Sequence, residues 1–573
     1  MTYRLRRAAQ VVLLFSPAML FFSCANQQPP DGGPVDTTPP EVVSFFPNQG
    51  ALQFHDRRIV IEFSKYVEER TVEESIFISP YVGELEFDWS GKEVEVRFGQ
   101  PLHERTTYVI NLGTDVKDLK TPANRMASAF SLAFSTGDSL DRGAIEGKVL
   151  PRKFEGPASG VMIFAYKLEG VKTDTLNPRT SAPDYISQTG KDGSFFLHHV
   201  AFSAYRLFAV RDEYRNLAYE PEVDEFGIPS KDILLRDSDT LAGNIVMKLA
   251  VEDTSGPRLT KAEATAARHV SIEFSEDIDT ARVNLLSIAI VDTANSRNLR
   301  LIAVYPSIGK LNQFIGETDL QDSSSSYRLG ANVWDLAGNP ILESASQFVF
   351  SGSGKKDSLR IKRVSIELKD SAENIELAPR FLASYSNSVH RTTVQSAWRL
   401  EEASGSEIPL TVHRISDIQF ALAPILPLRT VSWYVLHHDG RGVRGIGGGS
   451  STDSVRSWRF ETLDADLLSS LEGIVLSPRS PEDRSPIIVQ AYNLTKKDAP
   501  RLAVKTNTTG EFRFLSLDEG KYVLQAFVDE NRNDVFDAGK PFPFVKPEPI
   551  SDFSDTLKVR ARWPLEGVIV RFR

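Results

Sequence analysis

The feature of this sequence that most limits its possible folds is an internal repeat. Two segments return later in the chain: "DTTPPEVVSFFPNQG" (36–50) as "DTSGPRLTKAEA" (253–264), and "RRIVIEFSKYVEERTV" (57–72) as "RHVSIEFSEDIDTARV" (268–283). Both copies contain Ile-Glu-Phe-Ser, and in the first copy Ile59, Ile61 and Phe63 fall on one face of an extended chain. A repeat with this alternation predicts tandem units built from half-buried strands.

The two copies also end alike, and a more divergent third copy follows at about 359–465. In each copy a tyrosine precedes a phenylalanine by a similar distance, with polar turn segments between the strand-like stretches. The pairs are Tyr108 and Phe134, Tyr327 and Phe350, and Tyr434 and Phe460. Many short strands separated by turns predict β-sandwiches.

These three copies resemble the bacterial Ig-like domain of S-layer and envelope proteins. That family has D-x-x-P-P near its start, then I-x-F-S, and later a D-x-x-G-N turn. The second copy matches through Asp335, Gly338 and Asn339, whereas the first keeps Asp118 and Asn124 without the glycine, and the third departs most. The resemblance implies Ig-like domains at 39–138, 251–355 and, in divergent form, 356–466.

A second kind of repeat occupies the rest of the chain. It begins with "AIEGKVL" (144–150) and "SLEGIVL" (470–476), and continues through the glycine turns "TGKDGSFFL" (189–197) and "TNTTGEFRFL" (506–515). These units resemble the prealbumin-like or carboxypeptidase-regulatory-like domain, which is a seven-stranded sandwich. The resemblance implies prealbumin-like domains at 139–250 and 467–573.

Together the repeats predict an all-β fold of five tandem β-sandwiches, three Ig-like and two prealbumin-like, after a signal peptide. The composition agrees, because 41% hydrophobic and 25% charged residues are typical of a folded chain. The sequence has one cysteine, so no intrachain disulfide can link the sheets. Since the connections between units are short, we expect a semi-rigid rod or a curved stack.

The N-terminal segment has the pattern of a signal peptide. Arginines at positions 4, 6 and 7 precede a stretch without charge, from Ala8 to Ser23, that is interrupted by Pro17. The sequence "FFSC" ends at Cys24, the only cysteine, and resembles a bacterial lipoprotein signal peptide (1–23). The resemblance implies that Cys24 becomes the acylated N-terminus, while an ordinary secretory signal with an incidental cysteine is the alternative.

The residues after Cys24 indicate where the protein is placed. Residues 24–38 are rich in proline, glycine and glutamine, which predicts a flexible tether. A similar "PPDGGPVDTTPP" leader follows the cysteine in envelope lipoproteins of Bacteroidota-like bacteria, and no aspartate follows Cys24 directly. We therefore expect an outer-membrane lipoprotein, facing either the periplasm or the outside.

The charge of the chain limits its partners. The net charge is −10, and the body of the chain has no run of lysine and arginine, which argues against nucleic-acid binding. The expected partners are the lipid bilayer, through acylated Cys24, and an envelope protein or polysaccharide.

One loop has the spacing of a calcium site. In "DENRNDVFDAGKP" (529–541), oxygen-bearing side chains alternate at Asp529, Asn531, Asn533 and Asp537, as the hard cation Ca²⁺ requires. The segment resembles the calcium loop of Gram-positive adhesin B-type repeats, although Asp534 replaces the turn glycine and a lysine replaces the last acid. The alternative is a turn capped by side-chain hydrogen bonds. The earlier copy, "DEYRNLAYEP" (212–221), has a tyrosine in the middle, and no metal is expected there.

No arrangement of catalytic residues is evident in the sequence. There is no G-x-S-x-G, and the glycine-rich "GGGSST" (447–452) lacks the lysine of a phosphate-binding loop. The prediction is a non-enzymatic envelope protein with a structural, adhesive or scaffold role. The alternative, a glycan-binding accessory of a polysaccharide-processing system, needs exposed aromatic rings. The tryptophans considered for it are expected in the core: Trp334, Trp433, Trp458 and Trp563.

Overall fold

The computed structural model describes residues 36–154, 156–170, 172–356, 360–477, 484–496, 499 and 501–572. The predicted signal peptide, Cys24 and the tether up to residue 35 lie outside these residues. In the described part of the chain, no helix combines the length and the apolarity needed to cross a membrane.

Ten sheets in the described residues form five successive units of tandem β-sandwiches. The helices are short: α1 (Glu69–Glu73), α2 (Arg391–Gln395), and 3₁₀ turns at Glu343–Ala345, Gly440–Gly442 and Ala465–Leu467. The all-β prediction is therefore confirmed.

Units 1, 3 and 4 share one strand arrangement. Unit 1 contains β1 (Val42–Phe46), β2 (Arg58–Phe63), β3 (Ile76–Ser79), β4 (Leu85–Ser90), β5 (Glu93–Phe98), β6 (Thr107–Leu112) and β7 (Phe130–Ser135). Unit 3 contains β17 (Leu259–Ala266), β18 (His269–Phe274), β19 (Ile288–Asp292), β20 (Leu301–Pro306), β21 (Gln313–Thr318), β22 (Ser326–Ala331) and β23 (Gln347–Ser351). Unit 4 contains β24 (Arg363–Ile366), β25 (Ala372–Ile375), β26 (Phe381–Tyr385), β27 (Trp398–Glu402), β28 (Glu407–Ile408), β29 (Leu410–Arg414), β30 (Gln419–Pro424), β31 (Trp433–Asp439) and β32 (Val455–Thr462).

The shared arrangement pairs a four-stranded sheet with a three-stranded one. In unit 1 the sheets are β1-β2-β5-β4 and β3-β6-β7, and unit 3 repeats them as β17-β18-β21-β20 and β19-β22-β23. Unit 4 has β24-β26-β30-β29 and β27-β31-β32, and its second sheet gains β25 and β28 at the edges.

Units 2 and 5 share a different arrangement. Unit 2 contains β8 (Gly143–Leu150), β9 (Met162–Lys167), β10 (Tyr185–Gln188), β11 (Ser194–Val200), β12 (Ala204–Arg211), β13 (Glu225–Gly227), β14 (Ile233–Leu234), β15 (Leu241–Lys248) and β16 (Ala250–Val251). Unit 5 contains β33 (Ser469–Leu476), β34 (Ile487–Asn493), β35 (Leu502–Lys505), β36 (Glu511–Leu517), β37 (Gly520–Val528), β38 (Leu557–Val559) and β39 (Leu565–Arg571). The sheet β11-β8-β15 of unit 2 corresponds to β36-β33-β39, and both contain a parallel pair. The second sheets begin β10-β9-β12 and β35-β34-β37.

Alternation along the strands builds the cores. In β2, Ile59, Ile61 and Phe63 are buried while the residues between them are more exposed. They pack against the facing sheet, which contributes Ile110 and Leu132 to the same cluster. Each unit has a cluster of this kind, so that each sandwich buries its own apolar faces.

The repeated tyrosine and phenylalanine are partners across neighbouring strands. Tyr108 pairs with Phe134, and their rings stack with centroids 5.6 Å apart. The hydroxyl of Tyr108 accepts a hydrogen bond from the backbone N–H of His103 at 2.7 Å, which makes a tyrosine corner. Units 3 and 4 repeat both contacts with Tyr327, Phe350 and Asp322, and with Tyr434, Phe460 and Arg429.

The repeated aspartate and asparagine fasten the chain where it enters a unit. In unit 1, Asn124 Nδ2 donates both to Asp118 Oδ2, at 2.9 Å, and to the carbonyl oxygen of Asp36, at 2.8 Å. Unit 3 repeats these contacts with Asn339, Asp335 and Asp253. The aspartate and asparagine of the D-x-x-G-N turn therefore hold the incoming chain segment against the unit.

Two pairs of consecutive units are joined by polar contacts that are buried or partly buried. Between units 1 and 2, Asn111 Nδ2 donates to the carbonyl oxygen of Ile186 at 2.7 Å. Between units 3 and 4, the carboxylate of Glu317 accepts from the N–H and the hydroxyl of Ser388, at 2.7 and 2.6 Å. Glu317 is only 6% exposed, so this contact has little access to water.

Unit 5 packs against unit 2, far from it in sequence. Lys148 Nζ lies 3.2 Å from Asp552 Oδ2, and Lys248 Nζ donates to Gln525 Oε1 at 3.1 Å. Burial lowers the pKa of Lys248 to about 8, with Arg501 adding a smaller effect. A straight rod would keep these units apart, so the chain forms a curved stack that returns on itself.

Candidate functional site

The predicted calcium loop begins directly after β37, in unit 5. Asp529 is fully buried, and its carboxylate accepts from the backbone N–H of Asn533 at 3.0 Å and of Asp534 at 3.1 Å. Asp534 stands where the resembling pattern has glycine, and it adopts the left-handed backbone, with φ of 64°, that glycine favours there. The fold of the loop therefore does not depend on that glycine.

The other three predicted ligands contact one another. The side-chain amides of Asn531 and Asn533 both donate to Asp537 Oδ2, at 2.6 and 3.1 Å. A half-turn of either amide about its last torsion would present an oxygen in place of the NH₂ group. The geometry is thus that of a capped turn, and its donor set also suits a hard cation.

A fifth acid, Glu548, belongs to the same loop and was not singled out from the sequence. Its carboxylate accepts from the N–H of Glu530 at 2.7 Å and from that of Asp537 at 3.0 Å. Glu548 is 4% exposed, and burial raises its pKa. The sequence has no clear signal for it, because Glu548 lies within a proline-rich segment, between Pro547 and Pro549, and its distance from Asp529 fits no common ligand spacing.

The loop after β12 in unit 2 has the same backbone design. Asp212 accepts from the N–H groups of Asn216 and Leu217, as Asp529 does from its own loop. Left-handed residues recur at the same places, at Arg215 and Leu217 in unit 2 and at Arg532 and Asp534 in unit 5. Asp224 stands in the place of Glu548, because it accepts from the N–H groups of Glu213 and Glu220.

A different group of acids lies where the chain enters unit 3. Carboxyl oxygens of Asp253, Glu276 and Asp335 lie within 4.8 Å of one another. Burial, followed by the two aspartates, raises the pKa of Glu276. Unit 1 has Lys65 in the place of Glu276, where its Nζ donates to Asp36 Oδ2 at 2.7 Å. In unit 1 the positive charge of Lys65 offsets the negative charge of the neighbouring aspartates. In unit 3 the three acids have no such lysine among them, so their like charges remain.

A cleft of about 700 Å³ lies where units 1, 2 and 5 meet. Its lining includes Lys148, Asp192 and Asp552, together with the aromatic side chains of Phe196 and His198. These two rings stack with centroids 3.9 Å apart, and Phe196 is 38% exposed. The cleft therefore offers an aromatic platform surrounded by charged and hydroxyl groups.

The four tryptophans considered for glycan binding differ in exposure. Trp334, Trp433 and Trp458 are half-buried, and an arginine guanidinium lies over each ring. Trp563 is 73% exposed, so the prediction that it belongs to the core is wrong. It sits in a tight turn between β38 and β39, where Trp563 N donates to the carbonyl oxygen of Arg560, and the strand-like sequence pattern did not reveal this turn.

Comparisons with known proteins support the Ig-like part of the fold. Residues 36–136 match the family described as bacterial Ig-like domain. No curated protein matches the chain. Several solved structures of low similarity were also found.

The first of these is the N-terminal part of the bacterial S-layer protein SbsC, with 14% identity and a TM-score of 0.16 over 37% of this chain and 45% of that one. Domains 1–6 of surface layer protein SbsC have 10% identity and a TM-score of 0.16 over 99% and 70%. BcpA, the major pilin subunit of Bacillus cereus, has 8% identity and a TM-score of 0.13 over 75% and 99%. This chain thus spans less than half of the first structure, and TM-scores this low carry no argument about arrangement or function. The sheets form a chain of tandem β-sandwiches, and the first unit matches the bacterial Ig-like domain.

Proposed function

We propose that this protein is a non-enzymatic lipoprotein of the bacterial cell envelope, anchored in the outer membrane through acylated Cys24. Its role is structural or adhesive: the five sandwiches form a scaffold that holds an envelope protein or polysaccharide. The observation that carries the proposal is the docking of unit 5 on unit 2, because it gives the tandem units a fixed relative position. Such a scaffold can present a surface formed by several units at once.

The way the chain enters unit 1 fits an anchor close to the body. Asp36 is the first described residue, and its carboxylate and carbonyl oxygen are held by Lys65 and Asn124. Residues 25–35 separate Cys24 from this point, and a chain of that length spans at most ~40 Å when fully extended. The proposed anchor therefore keeps unit 1 near the bilayer surface.

Changing Cys24→Ser tests the anchor. We expect the protein to move from the membrane fraction to the soluble fraction, because removing the acylated thiol removes the stable lipid attachment. Fractionation by detergent phase partitioning, with mass spectrometry of the N-terminal peptide, measures this. Ser23→Ala is the matched control, since it keeps a small residue before the cysteine and should leave the protein in the membrane. Retention of Cys24→Ser in the membrane would contradict lipid anchoring.

A second candidate function, glycan binding, is favoured by the aromatic platform in the cleft. Phe196 and His198 lie side by side on β11, and Asp192 and Lys148 line the same cleft with groups that can bond sugar hydroxyls. We expect Phe196→Ala to lower any glycan-array signal of the purified chain at least tenfold. Leu515→Ala, which removes an exposed side chain of unit 5, is the control. An unchanged signal in Phe196→Ala would exclude the cleft as a glycan site.

A further inference from the structure

Three carboxylates meet in the loop after β12 of unit 2, where no metal is expected from the sequence. Oxygens of Asp212, Glu220 and Asp224 all lie within 4.8 Å of one another. Asp224 is fully buried, and burial, with a smaller contribution from Glu220, raises its pKa to about 6. Like charges this close and this poorly hydrated repel each other strongly.

Most oxygens of the cluster have hydrogen-bond donors. Both oxygens of Asp212 accept from backbone N–H groups, at 3.2 and 2.8 Å, and so do both oxygens of Asp224, at 3.0 and 2.8 Å. Glu220 Oε1 accepts from Asn216 Nδ2 at 2.5 Å. Glu220 Oε2 is different, because it is buried and has no hydrogen-bond partner among the described residues. A buried acceptor left in this state destabilises a fold, and the effect is larger when the acceptor is charged.

The corresponding loop of unit 5 has one amide donor more than this loop. There, two amides donate to Asp537, which stands in the place of Glu220. One of them belongs to Asn531, whose place in unit 2 is taken by Tyr214, and Tyr214 is 66% exposed. Unit 2 thus keeps the carboxylates of the loop and has lost one of the two donors.

We propose that Asp212, Glu220 and Asp224 bind a divalent cation, with Glu220 Oε2 as a direct ligand. The ligand set consists of carboxylate oxygens only, which favours Ca²⁺ over softer metals. Each oxygen that already accepts one backbone hydrogen bond keeps a second lone pair for the ion. Tyr214, which stands where unit 5 has Asn531, does not remove a ligand from this site. The three ligands come from the beginning and the end of the loop, and Tyr214 is in neither part.

The cation has a structural consequence, because the loop joins three units. Arg215 Nη1 lies 2.5 Å from Glu74 Oε2 of unit 1. Glu222 Oε1 accepts from the hydroxyls of Thr254 and Ser255, at 2.6 and 2.7 Å, where the chain enters unit 3. Binding of the ion in this loop fixes the positions from which both contacts are made.

Terbium luminescence tests the site in the full chain purified in detergent. Tb³⁺ occupies Ca²⁺ sites and emits when a nearby tyrosine is excited. Tyr214 and Tyr219 belong to this loop, whereas Asn531 and Phe536 take their places in unit 5, so tyrosine-sensitised emission distinguishes this loop from that of unit 5. Trp334 adjoins Asp335 in the acidic cluster of unit 3, so emission is assigned to unit 2 by its loss in Glu220→Gln. We expect emission that Ca²⁺ displaces and that an equal concentration of Mg²⁺ does not.

Glu220→Gln should abolish this emission and lower Ca²⁺ affinity, measured by calorimetry, at least tenfold. It should not lower the melting temperature without calcium, because the amide can donate where the carboxylate could not. Glu213→Gln, which changes an exposed acid of the same loop, is the matched control and should bind as the wild type does. The inference is overturned if Glu220→Gln retains displaceable emission, or if Glu213→Gln loses it equally. Should Glu220→Gln not fold, Asp537→Asn supplies the second measurement: the inference requires that its emission stays.

Discussion

Tyr108→Ala is expected to destabilise unit 1 by about 3–5 kcal/mol, enough to unfold it under mild conditions. The ring of Tyr108 is fully buried between the two sheets and stacks on Phe134 at 5.6 Å. Its hydroxyl also satisfies the backbone N–H of His103. Alanine therefore leaves a large cavity, breaks the stack and leaves a backbone donor unpaired.

Hydrogen exchange of the full chain, followed by mass spectrometry, measures this unit by unit, since a chain of several units does not unfold as one. Peptides of β2, β5, β6 and β7 should exchange quickly in Tyr108→Ala, while those of unit 4 keep their protection. Tyr108→Phe is the matched control, because it retains the ring and loses only the hydroxyl, for about 1–2 kcal/mol. Equal effects of the two variants would mean that the hydroxyl, and not the packing, holds the corner.

This tyrosine is an element of the fold that the sequence predicts well. The recurrence of tyrosine and phenylalanine was evident in all three copies, and each pair forms cross-strand partners. The alternation in β2 likewise identified Ile59, Ile61 and Phe63 as core residues. Such features are local or periodic, so that a single sequence contains enough information to find them.

The loop acids were harder to predict because their partners depend on the folded loop. Asp529 and Asp212 occupy the same place in two repeats, yet Glu548 and Asp224 follow them after segments of different length. A search for fixed ligand spacing therefore finds the loop of unit 5, where Asn531 completes the alternation of oxygen-bearing residues. It does not find the loop of unit 2, where Tyr214 interrupts that alternation. That Glu220 Oε2 is buried without a hydrogen-bond partner can be seen only in the folded structure, because it depends on the side chains around it.

The packing of unit 5 against unit 2 could not be predicted from the sequence either. Contacts such as Lys148 with Asp552 join residues more than 400 positions apart, and the repeat motif that contains Lys148 gives no indication of this partner. Aromatic residues of unit 5 that meet unit 2, such as Phe544, lie in a loop whose sequence resembles an ordinary connection. Short connections limit the distance between neighbours, but the direction of each joint depends on side-chain contacts that no periodicity records.

The second large effect is expected from the double variant Phe154→Ala and Phe544→Ala, which should release unit 5 from unit 2. The ring of Phe544 lies under the guanidinium of Arg206, 3.5 Å from it. Asp232 holds that guanidinium through two hydrogen bonds of 2.9 Å, so the cation is already in place for the ring. A buried cation–π contact of this kind contributes about 2 kcal/mol.

Phe154 forms the other half of the contact. It projects from unit 2 against two aromatic rings of unit 5, Tyr492 at 5.6 Å and Phe553 at 4.7 Å. The contact is partly open to water, since Phe154 is 41% exposed, and the loss of its ring removes about 1–2 kcal/mol of burial and stacking. Together the two substitutions weaken docking by about 3–4 kcal/mol, which is on the order of several hundred-fold.

Small-angle scattering of the full chain measures the release as an increase in the radius of gyration and in the maximum dimension. The units should keep their fold, because Phe154 and Phe544 lie outside the clusters that fill the sandwich of each unit. Hydrogen exchange checks this, and Leu515→Ala, an exposed position of unit 5, is the control for both measurements. Units 2 and 5 belong to one chain, so the effective concentration of unit 5 near unit 2 is high. The loss of one contact alone therefore leaves docking largely intact. If the double variant keeps the wild-type dimensions, polar contacts such as that of Lys248 with Gln525 hold unit 5 in place.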